Sequence, residues 1–170
     1  MSIAIDTAGT NAAANAPVTR TTGPTIHPRE WFRRVMEGEL PLPPVAELVG
    51  MRFVSADDGV AVLELEADPR RHANPMGTLH GGILCDLGDM AMGIALGSTL
   101  QPGETFTTIE LKINYFKPVW RSRLTATARI VKRTRTTAFI ECDVLDDGGS
   151  LVARLGSTCM VLTGERAAGR

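Results

Sequence analysis

Apolar positions change their spacing several times along this chain, and each spacing predicts a different element. Residues Met1 to Thr25 carry Ala, Thr, Asn and Gly without any period, which predicts a disordered tail over 1–25. Trp31, Phe32, Val35 and Met36 then fall at helical spacing between His27 and Gly38, a short amphipathic helix. The prolines at 41, 43 and 44 end it, and Val45–Gly50 suits one more helical turn. From Gly59 to Ala67 the pattern alternates and is rich in Val and Leu, which predicts a strand.

A loop over Arg70–Thr78, marked by Asn74-Pro75 and Gly77, leads into an apolar stretch from about Gly81 to Leu100. Ile83, Leu84, Leu87, Met90, Ala91, Ile94 and Ala95 cover most of a helix's circumference, so this helix is expected to be buried. It also carries Gly88, Gly93 and Gly97, each less favourable than Ala by about 1 kcal/mol. Close packing against another backbone would offset that cost. Four strand patterns follow, over Phe106–Phe116, Leu124–Arg133, Thr137–Leu145 and Leu151–Leu162. Alternation in the first puts Ile109, Leu111, Ile113 and Tyr115 on one face and Thr108, Glu110, Lys112 and Asn114 on the other. Asp146-Asp147-Gly148-Gly149 is a hairpin turn. One strand, one long helix and four strands in meander predict an α+β fold, an antiparallel sheet wrapped on a central helix. The domain spans 26–164, with a frayed end over 165–170.

Composition narrows the classes of function. A 170-residue chain with 44% hydrophobic and 22% charged residues can bury a core in one domain. A formal net charge of -1 gives no reason to expect nucleic acid or an anionic membrane as partner. No apolar run is long enough to span a bilayer, and the N-terminus lacks the pattern of a secretory signal. Cys85, Cys142 and Cys159 form no CxxC and read as reduced core thiols, which points to the cytoplasm.

Chemistry concentrates at the start of the long helix. Asp86 and Asp89 lie three apart and share a side of an otherwise apolar helix. Burying a carboxylate is costly unless it is paired or functional; otherwise the pair reaches solvent or a backbone donor. His80-Gly81-Gly82 opens the helix, and two glycines there leave backbone N–H groups uncovered beside the positive helix end. Such donors favour an oxyanion or a polarised carbonyl, unless the glycines merely make a tight turn. Asn74 either orients a water or a carbonyl or closes an Asx turn before Pro75. His80 is either a general base or a structural hydrogen bonder. The spacing of His72, His80, Cys85, Asp86 and Asp89 fits no metal-ligand motif, so no metal is expected. There is no G-x-S-x-G elbow and no phosphate loop.

The run Asn74-Pro75-Met76-Gly77-Thr78-Leu79-His80-Gly81-Gly82, continued to Asp89, resembles the phenylacetate-pathway (PaaI-like) thioesterases of the hotdog superfamily. Thr107-Thr108-Ile109-Glu110-Leu111-Lys112-Ile113-Asn114-Tyr115-Phe116-Lys117-Pro118 is similar to that family's strand after the helix. The likeness spans roughly Leu48 to Leu162. It implies a hotdog fold and hydrolysis of a small-to-medium acyl- or aryl-CoA, without cofactor. By the same resemblance Asp89 is the catalytic carboxylate, attacking the thioester or activating water, and Gly81 supplies the polarising N–H. Asn74 and His80 support that corner. Thr108 is the hydroxyl that assists water, with Thr107 one residue away as the competing match. Asp86 departs from the neutral residue expected there and either raises the pKa of Asp89 by repulsion or escapes to solvent. Gly82 and Thr107 are further substrate contacts, and Lys132, Arg133 and Arg135 are candidates to meet the CoA phosphates. The competing readings are a non-catalytic acyl-CoA sensor and a hotdog hydratase.

Gly81 and Asp89 stand eight residues apart, ~12 Å along a straight helix, too far to act together on one thioester carbon. A two-fold homodimer with antiparallel helices would put Asp89 of one chain opposite Gly81 and Asn74 of the other. Gly88 and Gly93 would permit that approach. The resemblance implies such dimers, paired further into dimers of dimers.

Overall fold

The computed structural model describes residues 26–167. The expected tail over 1–25 and the last three residues of the expected frayed end lie outside them. Helix α1 (Pro28–Met36) starts where His27 accepts the Arg29 N–H and proline occupies the first turn. Helix α2 (Pro44–Val49) stops at Gly50, whose φ of 86° only glycine adopts without strain. Strand β1 (Met51–Asp57) and strand β2 (Val60–Ala67) then form a hairpin through Asp58 and Gly59, both at positive φ.

Strand β1 is absent from the pattern reading. Its pairing with β2 slips between Phe53 and Ser55, and that bulge at Val54 breaks the alternation that would have marked a strand. Inside the expected loop, Pro69–His72 form a helical turn, α3, capped by Asp68. The long helix is α4 (Gly81–Gly97). Strands β3 (Glu104–Tyr115), β4 (Ser122–Arg133), β5 (Thr137–Leu145) and β6 (Leu151–Thr163) follow, and a short 3-10 turn covers Gly164–Ala167. The hairpin at Asp146–Gly149 closes with the Asp146 N–H on the Ser150 carbonyl at 3.0 Å.

All six strands join one antiparallel sheet in the order β1-β2-β4-β5-β6-β3. The α+β arrangement is as expected, but the meander is not. β4 pairs with β2, while β3 pairs with β6 and forms the edge opposite β1. Spacing marks which residues make strands; it does not say which strands pair. α4 lies across β2, β4 and β5, with Leu87, Met92 and Leu96 against Leu63, Leu124 and Ile140 in one core. Gly88 explains how closely it lies. A Cβ there would stand 2.4 Å from Leu155 Cδ2 on β6. That glycine therefore serves packing against the chain's own sheet, not the approach of a second helix, and Gly93 likewise faces Phe106. The helix is also not buried all round, since Asp86 and Asp89 are exposed. No helix among the described residues is long and apolar enough to cross a membrane.

A second bulge reverses an expected face. Pairing of β3 with β6 slips between Thr108 and Glu110, leaving Ile109 as an extra residue. Phe106, Leu111 and Ile113 pack inward. Thr108 therefore shares their face instead of opposing it, and Ile109 is 54% exposed.

Candidate active site

Two clusters form along α4, one at its start and one at its middle. At the start, His80 caps the helix: its Nδ1 accepts the Gly82 N–H at 3.0 Å, and its carbonyl accepts the Ile83 N–H at 3.0 Å. The Gly81 N–H has no acceptor among the described residues. Both glycines are required by contact. A Cβ on Gly82 would stand 2.9 Å from the His80 ring, and one on Gly81 would stand 2.9 Å from Tyr115. The Tyr115 hydroxyl donates to the Gly81 carbonyl at 3.1 Å and lies 3.4 Å from Cys85 Sγ. The Cys85 thiol beside it, with partial burial, pushes the phenol up to about 12. A pocket of about 580 Å³ opens here, with Gly81, Gly82 and Tyr115 in its wall.

Asn74 belongs to the loop before this cluster. Its Oδ1 accepts the N–H groups of Met76 (2.9 Å) and Thr78 (3.2 Å), and its Nδ2 donates to Thr78 Oγ at 2.8 Å. This is the Asx turn, one of the two alternatives open for Asn74. His72, buried below, accepts the Asp68 N–H and bonds the Val49 carbonyl.

At the middle of α4, the Thr108 hydroxyl donates to Asp89 Oδ1 at 3.2 Å. Thr107, one residue away on an alternating strand, points to the other face. The Asp89 carboxyl lies above the usual carboxylate range. Loss of hydration against the apolar wall raises it most, Asp86 raises it further, and the Thr108 hydrogen bond pulls it part of the way back. A cavity of about 460 Å³ runs from Asp89 and Thr108 along α4, past Met90, Gly93 and Ile94. Its far wall is Trp31 and Phe32 of α1.

The basic cluster divides. Arg133 is ion-paired with Glu104 at the start of β3, while Lys132 and Arg135 are exposed. Among the described residues no three His, Cys, Asp or Glu side chains gather as a metal site. Pattern reading missed Tyr115 as a neighbour of the helix start, though an aromatic residue at the end of an inward-facing strand register is a usable signal. It also missed α1 as a wall of the cavity, for which no local signal exists.

Comparison with known proteins bears on the family and the fold. Residues 76–153 match the family model of the thioesterase superfamily. Human acyl-coenzyme A thioesterase 13 is 31% identical over 60% of this chain and 73% of its own length. The 1,4-dihydroxy-2-naphthoyl-CoA hydrolase of Listeria monocytogenes is 29% identical over 62% of this chain and 85% of its own. Among solved structures, a phenylacetic acid degradation-related protein of Ralstonia eutropha superposes with a TM-score of 0.70. It is 29% identical and the match covers 76% of this chain and 98% of that one.

Proposed function

Since the chain belongs to the thioesterase superfamily, as a PaaI-like acyl-CoA thioester hydrolase, we propose that Asp89 is the carboxylate that carries the reaction. The observation behind this is its setting: a carboxylate raised above its ordinary range, held through one oxygen by Thr108, at the entrance of an apolar cavity. Thr108 fixes one oxygen and leaves the other for the reacting centre. Asp89 either attacks the thioester carbonyl carbon or takes a proton from the water that does. The C–S bond then breaks and CoA leaves as thiolate; after direct attack the acyl group stays on Asp89 as a mixed anhydride, which water hydrolyses to the free acid. A thiolate is a good leaving group, so the step needs little acid assistance.

The Gly81 N–H is proposed to stabilise charge developing on the carbonyl oxygen, at the positive end of α4. His80 holds that donor in place through its cap on Gly82. The bonding of Asn74 favours a supporting role, holding the turn that leads to His80. Lys132 and Arg135 are the exposed cations proposed to meet CoA phosphates; the charge of Arg133 is engaged by Glu104. The names of the human and Listeria relatives support an acyl- or aryl-CoA substrate. The three free cysteines, two of them buried, support a cytoplasmic setting.

The site is proposed to be shared between two chains. Gly81 and Asp89 are ~12 Å apart along one helix, and one thioester carbon cannot touch both. β3 supports pairing, because it is a sheet edge with Tyr115 51% and Phe116 59% exposed. Complementation tests this. Gly81→Pro removes the N–H with little cost to the helix, since His80 already has the extended backbone that precedes proline. Tyr115→Ala makes room for the ring. Mixed and exchanged with Asp89→Asn chains, this double variant should restore roughly a quarter of wild-type activity, because half the dimers are mixed and each holds one intact site. No restoration, with exchange confirmed by mass spectrometry, rejects the shared site.

A further inference from the structure

We infer that the site selects an uncharged, apolar acyl group of medium length, held in a pocket roofed by α1 and kept open at its middle by Gly93; this rests on the hydrolase reading above. The cavity beside Asp89 has a volume of about 460 Å³, within the size of small-molecule sites. It follows α4 from Asp89 to Gly97, eight residues or ~12 Å. An acetyl group would fill little of that lane, and a long fatty acyl chain would exceed it. Its middle is lined by Met90, Ile94, Phe106, Trp31 and Phe32, none of them charged. The charged lining groups beyond Asp89, Arg29 and Asp57, belong to the Ser98 end: Arg29 bonds the Ser98 carbonyl, and Gly59, two residues after Asp57, donates to Ser98 Oγ. An acyl group with a carboxylate of its own would lose hydration in the middle with no partner there.

The roof is firmly seated. Phe32 stacks on Phe53 of β1, with centroids 5.8 Å apart and planes at 9°. Trp31 meets the same ring edge-on at 6.4 Å. His27 Nε2 bonds the Leu100 carbonyl at 2.8 Å, which ties the start of α1 to the end of α4. α1 lies outside residues 76–153, so the roof belongs to this chain's leading segment and not to the matched core. Gly93 lies one turn beyond Asp89. A Cβ there would stand 3.3 Å from Phe106 Cζ, so a larger side chain closes the lane between α4 and β3.

The full-length chain should be assayed for free-thiol release with propionyl-, hexanoyl-, octanoyl-, palmitoyl- and glutaryl-CoA. Hexanoyl- or octanoyl-CoA should give the highest kcat/KM, with glutaryl-CoA at least tenfold lower. Gly93→Val should lower the octanoyl-to-propionyl ratio of kcat/KM at least tenfold, and Trp31→Ala should raise the palmitoyl-to-octanoyl ratio at least threefold. Gly93→Ala, a milder change, should move the first ratio in the same direction if the valine variant does not fold. Equal turnover of glutaryl- and hexanoyl-CoA, or an unchanged ratio in every folded Gly93 variant, overturns the inference. Should the wild type hydrolyse none of the esters, the hydrolase reading fails, and calorimetry of octanoyl- against glutaryl-CoA binding decides the pocket separately. Octanoyl-CoA binding at least tenfold tighter then supports it, and equal binding overturns it.

Discussion

The Thr108 hydroxyl and the Asp89 carboxylate, nineteen positions apart in the chain, meet at 3.2 Å between β3 and α4. The contact opposes the two influences that raise the Asp89 pKa, lost hydration and the charge of Asp86. Reaction by attack or by base catalysis needs the ionised carboxylate, so kcat/KM should fall as pH drops through this raised pKa. Thr108→Val removes the lowering influence and should move the acid limb to higher pH. Asp86→Asn removes a raising influence and should move it to lower pH. Full pH–rate profiles of the two variants check both signs; shifts in the same direction would contradict the assignment of Asp89.

Asp89→Asn should lower kcat/KM by at least ~10²-fold, the lower end of what a positioned acid or base contributes. The same substitution should not cost stability at neutral pH. A carboxyl whose folded pKa lies above its unfolded value favours the fold below the unfolded pKa, and that contribution is lost as pH rises through the folded pKa. Asparagine carries no charge to desolvate. Its melting temperature should therefore equal or exceed that of the wild type at pH 7, and the gap should narrow toward pH 4. A melting series across that range measures it.

Gly88→Ala should destabilise by about 1–3 kcal/mol, the range for an overpacked core. The added methyl would lie 2.4 Å from Leu155 Cδ2, and both belong to the buried seam of α4 and β6. Leu155→Val removes that terminal carbon. Denaturant melts of the two single variants and the double should show coupling between them, and strict additivity would count against the contact.

Asn74→Ala removes three side-chain hydrogen bonds and should cost about 2 kcal/mol of stability at the net worth of such bonds. The turnover of the folded fraction should change by less than ~10-fold, well short of the loss of an oxyanion donor. Unfolding curves and kinetics on the same preparation separate the two effects.

How much of this was readable beforehand differs by element. Strand β5 matches its predicted span of Thr137–Leu145, and α4 begins at the predicted Gly81, because each follows one uninterrupted period. Strand β1 and the face of Thr108 were not readable, and for one cause. A single extra residue, at Val54 and at Ile109, shifts every later side chain by half a period. The Asp89 and His80-Gly81-Gly82 positions stood out because charge and glycine are conspicuous in an apolar helix. Arg133 looked like one of three free cations because its partner Glu104 is distant in sequence and joins it only once β3 and β4 are placed. The cavity under α1 had no local signature, since residues near 30 and near 93 must first be brought together.

The extra residue at Ile109 has a consequence for how many copies of the chain can add at this edge: a closed pair is compatible with it, an open-ended stack is not. β3 is an outer strand of the sheet, and a straight outer strand is a template onto which further strands can add without limit. A bulge interrupts the flat hydrogen-bonding row and twists it. Deleting Ile109 would restore a regular ladder and, by the same half-period shift, turn the Thr108 hydroxyl away from Asp89. One inserted residue thus ties the contact of Thr108 with Asp89 to the irregularity of the sheet's edge, so that a change made for one is expected to alter the other.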